Sequence, residues 1–66
     1  MMSRHTLIRL KDVMAKTGFK HAWIYNLMGR NEFPQPVKLG IRSVAWVESE
    51  IDEWIANKIK QRDGVQ

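Results

Sequence analysis

Apolar residues recur at helical spacing twice in the first thirty positions. Leu10 is followed at i+3 and i+4 by Val13 and Met14, the mark of a short helix with one buried face. Thr17-Gly18-Phe19 interrupts the pattern. Gly18 is the residue type that ends helices in a left-handed conformation, and Phe19 is read as an apolar plug folding back under the turn. From about Lys20 a second pattern begins with Ile24, Leu27 and Met28, and it stops at Gly29. Two short helices joined by a Gly-containing turn form a helix-turn-helix, whose second helix lies in the major groove of DNA. A plain αα-hairpin fits these residues as well, and the downstream pattern decides between them.

Pro34 and Pro36 bar a helix, so 31–36 reads as a loop. Val37-Lys38-Leu39 and Val44-Ala45-Trp46 then alternate around Gly40-Ile41-Arg42-Ser43, the pattern of a half-buried hairpin. An isolated hairpin is marginal in water. Val37, Leu39, Val44 and Trp46 are therefore expected to pack on the helices, with Leu7-Ile8 as a third strand. Glu48 to about Arg62 carries the stripe Ile51, Trp54, Ile55 and Ile59, a third amphipathic helix. Its Trp54 is expected to pack against Trp46. The reading is a mainly α fold with a small β-hairpin: a winged helix-turn-helix of three helices plus a two- or three-stranded antiparallel wing. The domain is placed at 6–62, with flexible ends at 1–5 and 63–66.

Composition narrows the chemistry. Sixty-six residues make one domain, which buries only about 60% of its unfolded surface. There is no cysteine to staple it, so three Trp and two Phe must supply the core. No apolar run approaches the roughly 18 residues of a membrane span, and Met1 to His5 lacks the apolar segment of a signal peptide. The expected compartment is the cytoplasm, at the nucleoid when DNA is bound. Net charge is +4, unevenly spread. Counting side chains gives +4 for residues 1–20, +2 for 21–47 and −2 for 48–66. A basic excess over the helix-turn-helix is the electrostatic footprint of a nucleic-acid binder. The carboxylates Glu48, Glu50, Asp52 and Glu53 open the third helix, while Lys58, Lys60 and Arg62 close it. The helix dipole accounts for both groups without metal binding or acid–base work. Phosphate-binding and dinucleotide fingerprints are missing. Ser3, Ser43 and Ser49 have no His and Asp arrangement for nucleophilic catalysis, and His5 and His21 are isolated. The expectation is a non-enzyme with no cofactor and no metal.

Candidate contacts follow from the second helix at 100° per residue. Ala22 and Asn26 point most directly away from Ile24, flanked by Tyr25 and Gly29 on one side and by Trp23 and Arg30 on the other. Asn can read adenine bidentately, Arg can read guanine or phosphate, and an Ala methyl can meet a thymine methyl. Tyr25 is read as a phosphate donor before a packing residue, and Trp23 the reverse. Lys20 and His21 lie near phosphate at the start of the helix. Lys38, Arg42 and Ser43 are the wing's candidates.

The ordered runs RLKDVM, TGF, IYNLM, FPQPVKLG and VAWVESEIDEWI resemble the AlpA family of prophage regulators over about Leu7 to Ile55. That family is similar in fold to the DNA-binding half of MerR-type regulators and to phage excisionases. The resemblance implies sequence-specific binding of double-stranded DNA, often beside an integrase gene or at attachment-site DNA. Two uses are implied: transcriptional regulation, or excisionase action that bends attachment-site DNA for an integrase. A protein-binding adaptor on the same fold is a third reading. The free chain is expected to be a monomer that can occupy DNA in several copies. Family members commonly read S-R-S-T where this chain has Lys20-His21-Ala22-Trp23. Lys20 cannot accept the N–H bonds that a Ser cap accepts. Tyr25 matches the family Tyr, and Asn26 stands where the family is often basic.

Overall fold

In the computed structural model, which describes residues 5–64, the chain begins with a two-residue strand, β1 (Leu7–Ile8). It passes at once into helix α1 (Leu10–Thr17). The Asp12 carboxylate accepts the backbone N–H of Arg9 at 3.4 Å, so an acidic residue in the first turn caps as well as opposes the dipole. Gly18 ends α1 at φ 77° and donates its N–H to the Met14 carbonyl at 2.8 Å. Thr17 stiffens the same turn. Its hydroxyl donates to the Val13 carbonyl at 2.8 Å and accepts the Phe19 N–H at 3.2 Å.

Helix α2 (His21–Gly29) starts at Lys20, which makes no side-chain cap. It ends in a Schellman motif. Asn31 donates to the Met28 carbonyl at 3.0 Å and Glu32 to the Leu27 carbonyl at 2.8 Å. Gly29 stays within the helix. The left-handed residue that reverses the chain is Asn31, at φ 58°, a residue type that tolerates this region.

Strands β2 (Val37–Lys38) and β3 (Val44–Val47) complete an antiparallel sheet in the order β1-β3-β2. Leu7-Ile8 is thus the third strand, pairing Ile8 with Trp46 and Leu7 with Val47. The hairpin register corrects one expectation. Val37 sits opposite Ala45 and Lys38 opposite Val44. A one-residue offset exchanges the faces of a strand, so Val37 and Leu39 lie on the sheet face away from Trp46. Both are exposed. Ala45, opposite Val37, is fully enclosed instead.

Helix α3 (Glu48–Arg62) follows β3 directly. Val13 of α1, Ile24 of α2, Trp46 of β3 and Ile51 of α3 are all completely buried, and Ile8, Leu27 and Phe33 join them. Burial of each such side chain stabilises by about 1.5–3 kcal/mol. Half-buried Leu10, Met14, Phe19, Met28, Val44, Trp54 and Ile55 close the margin of this core. The stripe of α3 outruns it, leaving Ile59 exposed. Trp54 meets Phe33 and Phe19 edge-on, at 4.9 and 5.9 Å between ring centres. Trp54 packs against the core cluster that includes Trp46, as expected, but among the described residues its ring partners are Phe33 and Phe19. The two indoles act in parallel, since Trp46 donates to the Pro34 carbonyl at 3.1 Å and Trp54 to that of Glu32 at 3.0 Å. Together they hold the loop that carries the chain from α2 to the wing. The expected flexible ends fall largely outside the described residues. His5, Asp63 and Gly64 are exposed.

Candidate nucleic-acid interface

Helix α2 is anchored by Ile24 and Leu27 with Met28 half-buried beside them, and the rest of its surface is open. His21, Ala22, Trp23, Tyr25, Asn26, Gly29 and Arg30 are all exposed, as the 100° spacing predicts. Lys20 lies just before the helix, also exposed. Its carbonyl accepts the N–H groups of Trp23 and Ile24, and its side chain makes no capping hydrogen bond at this positive end of the helix.

Asn26 and Arg30 are not independent. Arg30 donates from Nε at 2.9 Å and from Nη2 at 2.7 Å to the single Oδ1 of Asn26. The same guanidinium lies 5.2 Å from the centre of the Trp23 ring. Its Nη1 is 3.6 Å from the Glu32 carboxylate. Trp23 meets Phe19 edge-on at 6.5 Å, and Phe19 meets Trp54. A row of rings therefore connects the open face of α2 to the core. Trp23 is thus exposed at 44% yet touches Phe19 on one side and Arg30 on the other. Trp23, Trp54 and Ile59 also line a groove of about 550 Å³ between α2 and α3.

The Asn26 carbonyl has two lone pairs, and Arg30 takes both. With that oxygen engaged, the side-chain groups the pair has left over are N–H donors. A bidentate adenine contact needs an acceptor as well as a donor, so the adenine reading of Asn26 requires Arg30 to move.

The wing candidates are separate from this unit. Lys38 and Arg42 are exposed and Ser43 is half-buried. The Ser43 carbonyl accepts the N–H of Leu39 at 2.7 Å and that of Gly40 at 3.2 Å, which fixes the hairpin apex at 40–42. Gln35 links wing and helix, donating to the Met28 carbonyl at 3.2 Å. Nothing in the sequence marks Gln35, because its partner depends on where the loop folds back.

One basic residue leaves the candidate face. Lys16 bonds Asp52 at 2.9 Å and Glu48 at 3.3 Å, so the first turns of α3 neutralise it. Its ammonium is held above its ordinary pKa by the hydrogen bond to Asp52 and then by that to Glu48. Among the described residues no group of three His, Cys, Asp or Glu side chains could hold a metal ion. No described helix is long and apolar enough to cross a membrane.

Residues 6–59 match the family described as Prophage CP4-57 regulatory protein (AlpA). The chain is similar to the DNA-binding transcriptional activator AlpA of Escherichia coli (strain K12), 38% identical over 60 residues that cover 82% of this chain and 86% of the relative. It is also similar to the uncharacterized protein ORF88 of Enterobacteria phage P4, 36% identical over 61 residues, 92% of this chain and 69% of the relative. The matched span takes in both helices of the turn, the wing and most of α3, and on that extent the chain belongs to the AlpA family of prophage regulatory proteins.

Proposed function

We propose that this protein is a small prophage-type transcriptional regulator that binds duplex DNA sequence-specifically. In this reading α2 lies in the major groove and the wing lies on the adjacent backbone or minor groove. One observation carries it: the outward face of α2 holds a prebuilt Asn26–Arg30 unit steadied by Trp23. A merely solvated helix face gains little from such bracing. The uncapped start of the helix, with Lys20 and His21 beside it, suits a phosphate. Tyr25 and Ala22 flank the unit. The similarity to an E. coli DNA-binding transcriptional activator supports the same assignment.

The donor-only face adds a base preference. Guanine offers two acceptors, N7 and O6, in the major groove, and these match the N–H groups that Asn26 and Arg30 leave free. Guanine is therefore favoured over adenine opposite this pair. The test is a selection of bound sequences from random duplex DNA with the full chain. A motif with a guanine lost in Asn26→Ala supports the reading, and failure to enrich any sequence at low salt sinks it. The protein would act where DNA is, as a monomer in solution. Excisionase action uses the same α2 contacts, and the projecting wing gives it a physical basis. An excision assay with an integrase supplied distinguishes the two uses.

A further inference from the structure

The wing ends in a side chain that the fold does not use. Ile41 is 97% exposed, against 39% for Val37 and 50% for Leu39 on the arm leading to it. Hairpin turns ordinarily carry Gly, Asn, Asp, Ser or Pro, each of which serves the turn itself. A β-branched apolar residue at the apex serves neither the turn nor the core. The turn that carries it is nevertheless closed by hydrogen bonds. The Ser43 carbonyl holds both Leu39 and Gly40, and Ile itself has restricted freedom at χ1. Its surroundings are cationic: Lys38 and Arg42 are the only charged residues between Glu32 and Glu48. Apolar bulk on a hydrogen-bonded apex beside two cations has the chemistry to suit the minor groove between two phosphate strands.

We propose that Ile41 is a wedge that enters a base step from the minor groove and kinks the duplex beneath the wing. This rests on the DNA-binding reading above and adds to it a specific residue and a physical means by which the duplex would be bent. Apolar side chains inserted between base steps unstack them and bend the helix toward the major groove. Lys38 and Arg42 would hold the flanking phosphates, which position without specifying sequence. Pyrimidine–purine steps unstack most readily. The selected DNA site should therefore carry a TA or CA step at a fixed distance from the bases read by α2, although no side chain reads that step by hydrogen bonding.

The experiment compares wild type, Ile41→Ser and Ile41→Leu as full chains on the duplex enriched by selection. End-to-end energy transfer reports the bend, and 2-aminopurine placed at the flexible step reports unstacking. Wild type should kink the DNA by about 20–90° and raise the 2-aminopurine fluorescence. Ile41→Ser should melt like wild type and still form the complex, yet lose both signals, and Ile41→Leu should recover them. A straight wild-type complex, or an Ile41→Ser complex bent like wild type, overturns the wedge and leaves DNA binding standing. A bend unchanged in Ile41→Ser, with only the filling of tandem sites impaired, overturns it in favour of contact with a second copy of this chain. Failure of wild type to form any complex at low salt overturns the wedge and the DNA-binding reading together.

Discussion

Helix α2 and the wing are both offered to solvent, but they are held in different ways. Helix α2 is rooted in the core through Ile24 and Leu27, and its outer side chains are braced again by the Asn26–Arg30–Trp23 unit. The wing is rooted through Trp46 and Val44, and beyond them β2 and the apex touch little of the body. Base reading needs donors held at fixed positions, which suits the first arrangement. Backbone contact is long-range and tolerant of position, which suits the second. The difference teaches that side chains on an exposed helix face can be held in place by a chain of aromatic contacts rather than by their own burial.

The largest expected effect strikes the root that both regions share. Trp46→Ala removes a completely buried ring and leaves the Pro34 carbonyl without its indole partner. Such a deletion costs about 3–5 kcal/mol. A chain of this length has only about 3–10 kcal/mol in total, at 0.05–0.15 per residue. The variant should be largely unfolded by circular dichroism at 25 °C and should bind no DNA. A near-native melt would mean that α2 and the wing do not depend on one core.

The next effect separates the regions. Asn26→Ala should cost about 1–3 kcal/mol of binding to the selected site and relax preference at one base, with the salt slope nearly unchanged. Arg42→Ala should weaken binding to all sequences and lower the salt slope by about one. Titrations of both variants on selected and random DNA, across salt, give the answer. Equal losses on both DNAs would show that α2 is not the reading element.

How far the sequence could foresee this differs between the same two regions. Helical spacing in α1 and α2 determines which residues face inward, and Gly18 announces the turn by its chemistry. The Asn26–Arg30 pair was legible in principle, since residues four apart on a helix are neighbours. The wing was legible as a hairpin but not in register. Gly40-Ile41-Arg42-Ser43 contains no Asn-Gly or Asp-Gly signal to fix the turn, and a slip of one residue exchanges Val37 and Leu39 between faces. Ile59 continues the stripe of α3 past the core because periodicity does not say where a core stops. The reversal at Asn31 and the carbonyl targets of the two indoles depend on tertiary position, which spacing alone does not encode.

A smaller effect tests the link between the regions. Trp54→Phe keeps an aromatic ring beside Phe33 and Phe19 but removes the N–H that holds the Glu32 carbonyl. A net loss of about 0.5–1.5 kcal/mol of stability is expected, read from urea unfolding at unchanged slope. Amide exchange in 31–36 should quicken more than in α1. Uniform quickening would show that the indole stabilises the domain as a whole and not the loop between α2 and the wing.

The smallest effect concerns Lys16, which composition alone assigns to the basic face. Its ammonium is turned toward Asp52 and Glu48 of α3, so Lys16→Met should leave the salt slope of DNA binding unchanged, where Lys38→Met should lower it by about one. Stability should respond instead, with its pH dependence confined to the alkaline side. The folded pKa of Lys16 is raised above the ordinary 10.5, chiefly by the hydrogen bond to Asp52 and next by that to Glu48. A group whose folded pKa is raised contributes stability that is fully present below its unfolded pKa and is lost as pH rises through the folded value. Wild type should therefore lose this small contribution above about pH 10.5, and Lys16→Met, lacking the ammonium, should show a correspondingly flatter melting profile there. A drop in the salt slope of Lys16→Met would return this residue to the DNA face and break the division proposed between a reading helix, a backbone-binding wing and an internally paired α1.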